Sequence, residues 1–203
     1  MLSLNELKKL MDELSKERKL FHSEADFQHA LSYLIHKKYP NTQIRLEKKI
    51  SEFYIDIIIH DKITIGIELK YKTKKFNYSE LGEQFDLKSV NAHNFACLYF
   101  RKDISRLETL KNSKKINKGF VIFLTNDSNY FNKNSSSKQP IYENIKIYDN
   151  NKIKKKVDWL GSSESKNSIS KQNIPDLKNE YICNWNQYSK CDDEEFKYLL
   201  LEI

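Results

Sequence analysis

Residues 53–72 read FYIDIIIHDKITIGIELKYK. Apolar and polar side chains alternate on both sides of a short turn at Asp61-Lys62, and β-branched residues dominate both halves. Alternation with a period of two predicts strands, and a turn between two such runs predicts a hairpin. Residues 44–47 alternate in the same way just before them. The sequence therefore predicts an antiparallel meander of three strands.

Helical patterns flank this meander. Apolar residues recur at helical spacing over residues 4–20, and a second helix is expected to begin at Ser23 and to stop before Pro40. Helical spacing returns from residue 79 to about residue 112, with a break expected near residues 91–94, and residues 119–124 form a fully apolar strand. This order predicts an α/β fold with a central mixed β-sheet flanked by helices.

The C-terminal third carries weaker signals. Residues 127–139 and 161–175 are polar and are expected to be loops, and residues 145–157 suggest a hairpin around Asp149-Asn150-Asn151. Residues 196–203 are expected to form a final strand. We therefore expect a single domain over residues 1–203, with a core at about 23–126 and a peripheral hairpin, loop and strand at 127–203.

Charge and composition restrict the function classes. The chain has 203 residues and a formal net charge of +7, which favours a polyanionic partner such as nucleic acid, although an AT-rich coding bias also produces lysine. No signal peptide or membrane span is visible, so a cytoplasmic protein that does not bind membranes is expected. The spacing of Cys97, Cys183 and Cys191 fits neither a disulfide framework nor a zinc site.

Three charged residues interrupt the two apolar strands. Glu68 and Lys70 are two residues apart and should share one face of the sheet, and the hairpin can bring Asp56 beside Glu68. Two adjacent carboxylates repel each other unless a cation compensates them, and Mg²⁺ prefers oxygen ligands. A metal-bound water can attack a phosphodiester, with Lys70 next to it to orient the water and offset charge. The Leu69 carbonyl is a further candidate ligand.

Asp56 followed by Glu68-Leu69-Lys70 at hairpin spacing resembles the PD-(D/E)XK nuclease superfamily, over roughly residues 23–126. Ile55 stands where the family name has proline. The resemblance implies a restriction-endonuclease-like core, dependence on Mg²⁺ with Mn²⁺ as a substitute, and DNA as substrate. The implied function is an endonuclease of restriction, repair or defence. The alternatives are a module on the same fold that binds nucleic acid without cutting it, and an incidental ladder of ion pairs on a solvated sheet face.

Further candidate residues surround this motif. Glu24 begins the second helix, where some branches of the superfamily carry a metal-site acid, and where an acid also simply complements the helix dipole. Lys72, Lys74 and Lys75 are candidates for phosphate contacts or for a solvated basic loop. Gln84, expected on the next helix, corresponds to a glutamine that positions the active site in some branches. A homodimer through the N-terminal helix would suit cutting of both strands.

Overall fold

The computed structural model describes residues 2–90, 92–133, 145–157 and 173–203. Its helices are α1 (Leu4–Glu17), α2 (Glu24–Lys38), α3 (His93–Asn112) and α4 (Ser128–Phe131). Its strands are β1 (Gln43–Ile50), β2 (Phe53–His60), β3 (Thr64–Lys72), β4 (Phe76–Glu80), β5 (Glu83–Leu87), β6 (Lys118–Thr125), β7 (Lys152–Ile153), β8 (Tyr181–Ile182), β9 (Trp185–Cys191) and β10 (Glu194–Glu202). Within these ranges no helix has the length and apolar character needed to cross a membrane.

The main sheet is mixed, as the sequence predicts. In the described part of the chain it has six strands in the order β1-β2-β3-β6-β10-β9. The first three form the predicted antiparallel meander. β6 lies parallel to β3, and the connection between them contains α3. The fold is therefore a mixed α/β structure.

Helices cover both faces of this sheet. The apolar faces of α1 and α2 pack with Ile57, Ile67 and Leu69 in one core cluster. α3 packs with Ile58 and Val121 in a second cluster on the opposite face. The apolar stripe of α1 is thus buried within its own chain. Two apolar faces on one sheet require such a layered arrangement.

The start of α2 follows from its capping. Ser23 is the N-cap, and its hydroxyl accepts a hydrogen bond from the Asp26 amide at 3.1 Å. This cap satisfies one amide of the first turn and fixes the residue where the helix begins. Glu24 is therefore the first helical residue, and its side chain lies beside the end of β3.

The helix predicted from residue 79 is wrong over its first part. Residues 76–87 form the β4–β5 hairpin, and α3 begins at His93. Leu81 and Gly82 have φ angles of 51° and 84° at the tip, as a tight hairpin turn requires. Residues 79–90 contain helix formers such as glutamate and leucine but also a glycine at the tip, and cross-strand pairing with packing against the core decides in favour of the hairpin.

The C-terminal predictions are partly wrong. β10, predicted as peripheral, lies inside the main sheet between β6 and β9. The hairpin predicted over residues 145–157 is not formed, because Ile153 pairs with Tyr181 instead. The first predicted loop, 127–139, is wrong at Ser128–Phe131, which form α4, and its residues 134–139 lie outside the described residues. Of the second predicted loop, 161–175, only residues 173–175 are described.

Candidate active site

Asp56 lies at an irregularity between β1 and β2. The two strands pair at Leu46 with Ile57 and at Lys48 with Ile55, and the ladder is interrupted between these pairs at Glu47 and Asp56. Glu47 has a φ of 48°, a conformation that side chains other than glycine adopt uncommonly. Ile55 and Ile57 belong to opposite core clusters, so the strict alternation predicted along β2 is wrong at this point.

The side chain of Asp56 bonds to the backbone of β3. Its Oδ2 accepts a hydrogen bond from the Leu69 amide at 2.6 Å. Backbone pairing of β2 with β3 runs only to Ile57 and Ile67, so the carboxylate takes over where the ladder ends. The Asp56 carbonyl accepts from the Gln28 side chain at 2.7 Å. These bonds hold Asp56 between β3 and α2.

A cavity of about 200 Å³ opens at this junction. It is lined by Glu24, Ala25, Gln28, Glu47, Asp56 and Leu69. Glu24 accepts hydrogen bonds from the Tyr71 amide at 2.7 Å and from Lys72 at 3.0 Å. The structure therefore brings the predicted acid of α2 to the same cavity as Asp56, beyond its place at the helix N-terminus.

Glu68 and Lys70 share one face of β3, as predicted, and α3 covers that face. Arg106 Nη1 lies 3.2 Å from Glu68 Oε1, and Lys70 Nζ lies 2.9 Å from Asp103 Oδ2. Asp103 also pairs with Arg106. Four charged groups thus form one network between β3 and α3, which we call the β3–α3 network (Glu68, Lys70, Asp103 and Arg106).

Burial makes this network electrostatically unusual. Glu68 is 1% exposed and Asp103 is 0% exposed. The pKa of the Glu68 carboxyl is raised to about 9. Burial is the largest cause, and the negative charges of Asp103 and Asp56 raise the pKa further, whereas Arg106 and Lys70 lower it. Glu68 Oε1 is also buried without a hydrogen bond from the described residues, since its contact with Arg106 is ionic only.

The pKa values of Asp56 and Lys70 are also shifted. Burial raises the pKa of Asp56, although the Leu69 amide and Lys70 oppose that shift. Burial alone would lower the pKa of Lys70, but the negative charges of Asp103 and Glu24 outweigh it and the net shift is upward. Lys70 is therefore held as a cation, whereas burial favours the protonated, neutral form of Glu68.

The alternative of a solvated ladder of ion pairs is wrong for this site. Glu68 is buried, and its ionic partner is Arg106 on α3. A buried pair of this kind requires good geometry to offset desolvation and is weak evidence for stability in itself. Strongly perturbed carboxylates beside a polar cavity are more typical of functional sites, although ion-pair networks also perturb pKa values.

The remaining predicted residues lie around the site in different ways. Lys72 reaches Glu24, whereas Lys74 Nζ lies 2.9 Å from Glu194 on β10. Lys75 is exposed just after β3. Gln84 is on β5, so its predicted place on a helix is wrong, and it lines a different cavity with residues of the β4–β5 hairpin.

Sequence reasoning missed four residues of this site. Gln28 donates to Glu47 at 2.8 Å as well as to the Asp56 carbonyl. Glu47 lines the same cavity as Asp56, and the interruption of the β1–β2 ladder that brings it there carried no sequence signal. Asp103 and Arg106, spaced by three on α3, carried no local signal, because their partners are more than 30 residues earlier in the chain.

The donor set suits a hard divalent cation. Within the described residues no group of three or more histidine, cysteine, aspartate or glutamate side chains is already arranged to hold a metal. However, Glu24, Glu47 and Asp56 line one cavity, and the buried Glu68 oxygen lacks a hydrogen bond. Carboxylate oxygens are the ligands that Mg²⁺ prefers. A bound cation would favour the ionised carboxylates and so lower the raised pKa values of Asp56 and Glu68. The residues present therefore fit Mg²⁺ chemically.

Protein-family models, curated proteins and solved structures give no significant match to the chain.

Proposed function

We propose that this protein is a metal-dependent nuclease that hydrolyses phosphodiester bonds, with DNA as its substrate. The observation that carries the proposal is that Glu24 and Asp56 meet at one polar cavity, beside the strand that bears Glu68 and Lys70. The order of α2, the β1–β3 meander, α3 and the parallel strand β6 supports a restriction-endonuclease-like core.

The acidic residues are assigned to metal binding. Asp56 and Glu68 are the principal ligands of Mg²⁺ or Mn²⁺, and Glu24 and the Leu69 carbonyl are the additional ones. When bound, the cation supplies Lewis acidity and lowers the pKa of its water. Glu47 lies at the same cavity and adds negative charge to it.

Lys70 is assigned to the developing negative charge of the reaction. Asp103 keeps Lys70 protonated. The Nζ of Lys70 lies 2.8 Å from the carbonyl oxygen of Leu69, a residue that lines the Asp56 cavity. A fixed ammonium at this place stabilises charge on the phosphoryl oxygens and orients the attacking water. Lys72, Lys74 and Lys75 are assigned to contacts with the phosphate backbone.

The test is a comparison of cleavage and binding in matched variants. Purified protein is incubated with duplex DNA, single-stranded DNA and RNA in Mg²⁺, Mn²⁺ or EDTA. Asp56→Asn should abolish cleavage by loss of metal. Lys70→Ala should lower the cleavage rate by orders of magnitude while DNA affinity weakens only modestly, because one lysine is one phosphate contact among several.

Asp61→Asn and Lys62→Ala are the matched controls. Both residues lie in the β2–β3 turn and are exposed. These variants should cut at the wild-type rate. Cleavage by Lys70→Ala that equals the wild-type rate would contradict the assigned mechanism, and absence of cleavage under every metal would contradict the nuclease assignment.

A second candidate function is a nucleic-acid-binding module that does not cut. The β3–α3 network favours it, because Glu68 and Lys70 already have partners in Arg106 and Asp103. This candidate expects no metal-dependent cleavage in the wild type and a Lys70→Ala variant that behaves like Lys62→Ala.

A further inference from the structure

A second cavity, of about 380 Å³, lies beside the candidate active site on the side of α3. Its walls include the aromatic rings of Phe53 and Tyr99 and the cationic side chains of Lys102 and Arg106. Tyr99 is 47% exposed. Arg106 also belongs to the β3–α3 network, so the cavity adjoins that network.

We propose that this cavity binds an unpaired nucleobase of a nucleic-acid strand that lies across the candidate active site. The inference rests on the proposed nuclease function for the position of the strand, and it adds a substrate class, namely strands with unpaired nucleotides. The volume lies in the range of small-ligand pockets, and aromatic walls stack on bases of any sequence.

Charge supports a nucleotide over an apolar peptide side chain. Lys102 Nζ lies 5.4 Å from the centre of the Tyr99 ring, so a cation adjoins the aromatic surface. None of the described residues that line this cavity is acidic. Aromatic surface next to cations is the combination that binds a base together with its phosphate.

The position of the cavity also fits a strand that passes the site. Phe53 begins β2 three residues before Asp56, which corresponds to about 10 Å along a strand. Arg106 lies 3.2 Å from Glu68 and donates a hydrogen bond to the Tyr54 carbonyl at 3.3 Å. The cavity therefore adjoins the β3–α3 network at Arg106 and the strand that carries Asp56 at Phe53.

The experiment measures binding in EDTA, so that cleavage does not interfere. The probes are single-stranded oligothymidylate, oligouridylate, an abasic DNA strand of the same length and charge, and a fully paired duplex. The wild type should bind the two base-bearing strands more tightly than the abasic strand. Tyr99→Ala should weaken binding of the base-bearing strands roughly 5- to 150-fold, the usual effect of losing one base–aromatic stack, and should leave binding of the abasic strand and the duplex unchanged.

Two further variants keep the test specific. Tyr99→Phe retains the ring and should bind like the wild type, and Tyr33→Ala removes a tyrosine that is 67% exposed on α2 and should have no effect. Equal affinity of the wild type for base-bearing and abasic strands would overturn the inference. The same conclusion would follow from equal losses on all probes with Tyr99→Ala, or from a loss with Tyr99→Phe as large as with Tyr99→Ala.

The outcome is separable from that of the proposed function. Metal-dependent cleavage without Tyr99-dependent base binding would overturn the inference and leave the nuclease assignment intact. Tyr99-dependent base binding without cleavage under any metal would support the inference and overturn the nuclease assignment.

Discussion

The backbone of Leu69 connects two residues of the candidate site. Its amide donates to Asp56, and its carbonyl accepts from Lys70. Small shifts in Leu69 would therefore move the carboxylate and the ammonium together. This coupling explains how an apolar residue on the opposite face of β3 from Glu68 contributes to the geometry of the charged residues.

Asp103 is expected to act on the reaction through Lys70. Asp103→Asn keeps the size of the side chain but removes the largest cause of the raised pKa of Lys70, so burial should then lower that pKa. We expect slower cleavage and a lower Lys70 pKa, measured by NMR titration of the lysine ammonium and by the pH profile of the rate. An unchanged Lys70 pKa would show that Asp103 has a structural role only.

Glu68 is expected to make stability depend on pH. Its pKa is raised from 4.5 to about 9 in the folded, metal-free chain. The folded state then binds more protons than the unfolded state between these values, so the free energy of unfolding should fall as pH rises through that window. Thermal unfolding in EDTA should show this fall, whereas Glu68→Gln should reduce it.

Added Mg²⁺ is expected to weaken the same pH dependence, because a bound cation favours the ionised carboxylate. Asp61→Asn, at an exposed site in the β2–β3 turn, is the matched control. Its free energy of unfolding should depend on pH as steeply as that of the wild type. A slope that is unaffected by Glu68→Gln would mean that another group titrates.

At the level of secondary structure elements, α3 can lie close to β6 because of a glycine. A Cβ on Gly119 would lie 3.0 Å from Leu107 Cβ and 3.2 Å from Ile203 Cβ. Both of these atoms are attached directly to backbone, so they cannot move away alone. This close contact fixes the distance between α3 and the sheet. It thereby fixes how far Asp103 and Arg106 lie from β3.

Gly119→Ala is therefore expected to destabilise the fold by about 1–3 kcal/mol, the usual cost of overpacking. Gly66→Ala is the matched control, because its nearest neighbour at 3.1 Å is the mobile end of the Leu107 side chain. Chemical denaturation should show a larger loss for Gly119→Ala. An equal or smaller loss would indicate that α3 shifts freely against β6.

The β4–β5 hairpin packs against the segment that leads into α2. The His22 ring stacks on Phe85 with ring centres 4.4 Å apart, and Lys19 pairs with Glu80. The hairpin therefore supports the residues immediately before Glu24. It does so from outside the cavity that Asp56 lines.

On the scale of the whole molecule, the described sheet depends on the C-terminal strands. β10 pairs with β6 from Phe120 to Thr125, and the Ile203 amide donates to the Gly119 carbonyl at 2.8 Å. The core predicted over residues 23–126 thus omits one neighbour of a fully buried strand. Unpaired backbone groups along β6 would then be exposed as an edge.

A chain truncated after residue 126 is therefore expected not to fold cooperatively. Circular dichroism during thermal unfolding should show no sigmoidal transition, in contrast to the full chain. A cooperative transition, together with retained cleavage, would show that β9 and β10 are dispensable.

The sequence by itself determined the local features of this protein. The alternation in residues 53–72 predicted the β2–β3 hairpin and the common face of Glu68 and Lys70, because side-chain direction in a strand depends only on parity. Ser23 likewise predicted the start of α2 and the position of Glu24 at its first residue, because capping is a contact within one turn.

Only the tertiary structure decided what surrounds these residues. The pairing of Glu68 and Lys70 with Arg106 and Asp103 depends on how α3 crosses the sheet. The place of β10 beside β6 depends on pairing between segments about 75 residues apart, and the β4–β5 hairpin replaces the first part of a helix that was predicted from apolar spacing. In each case contacts distant in the sequence supply free energy that exceeds the weak preferences of single residues.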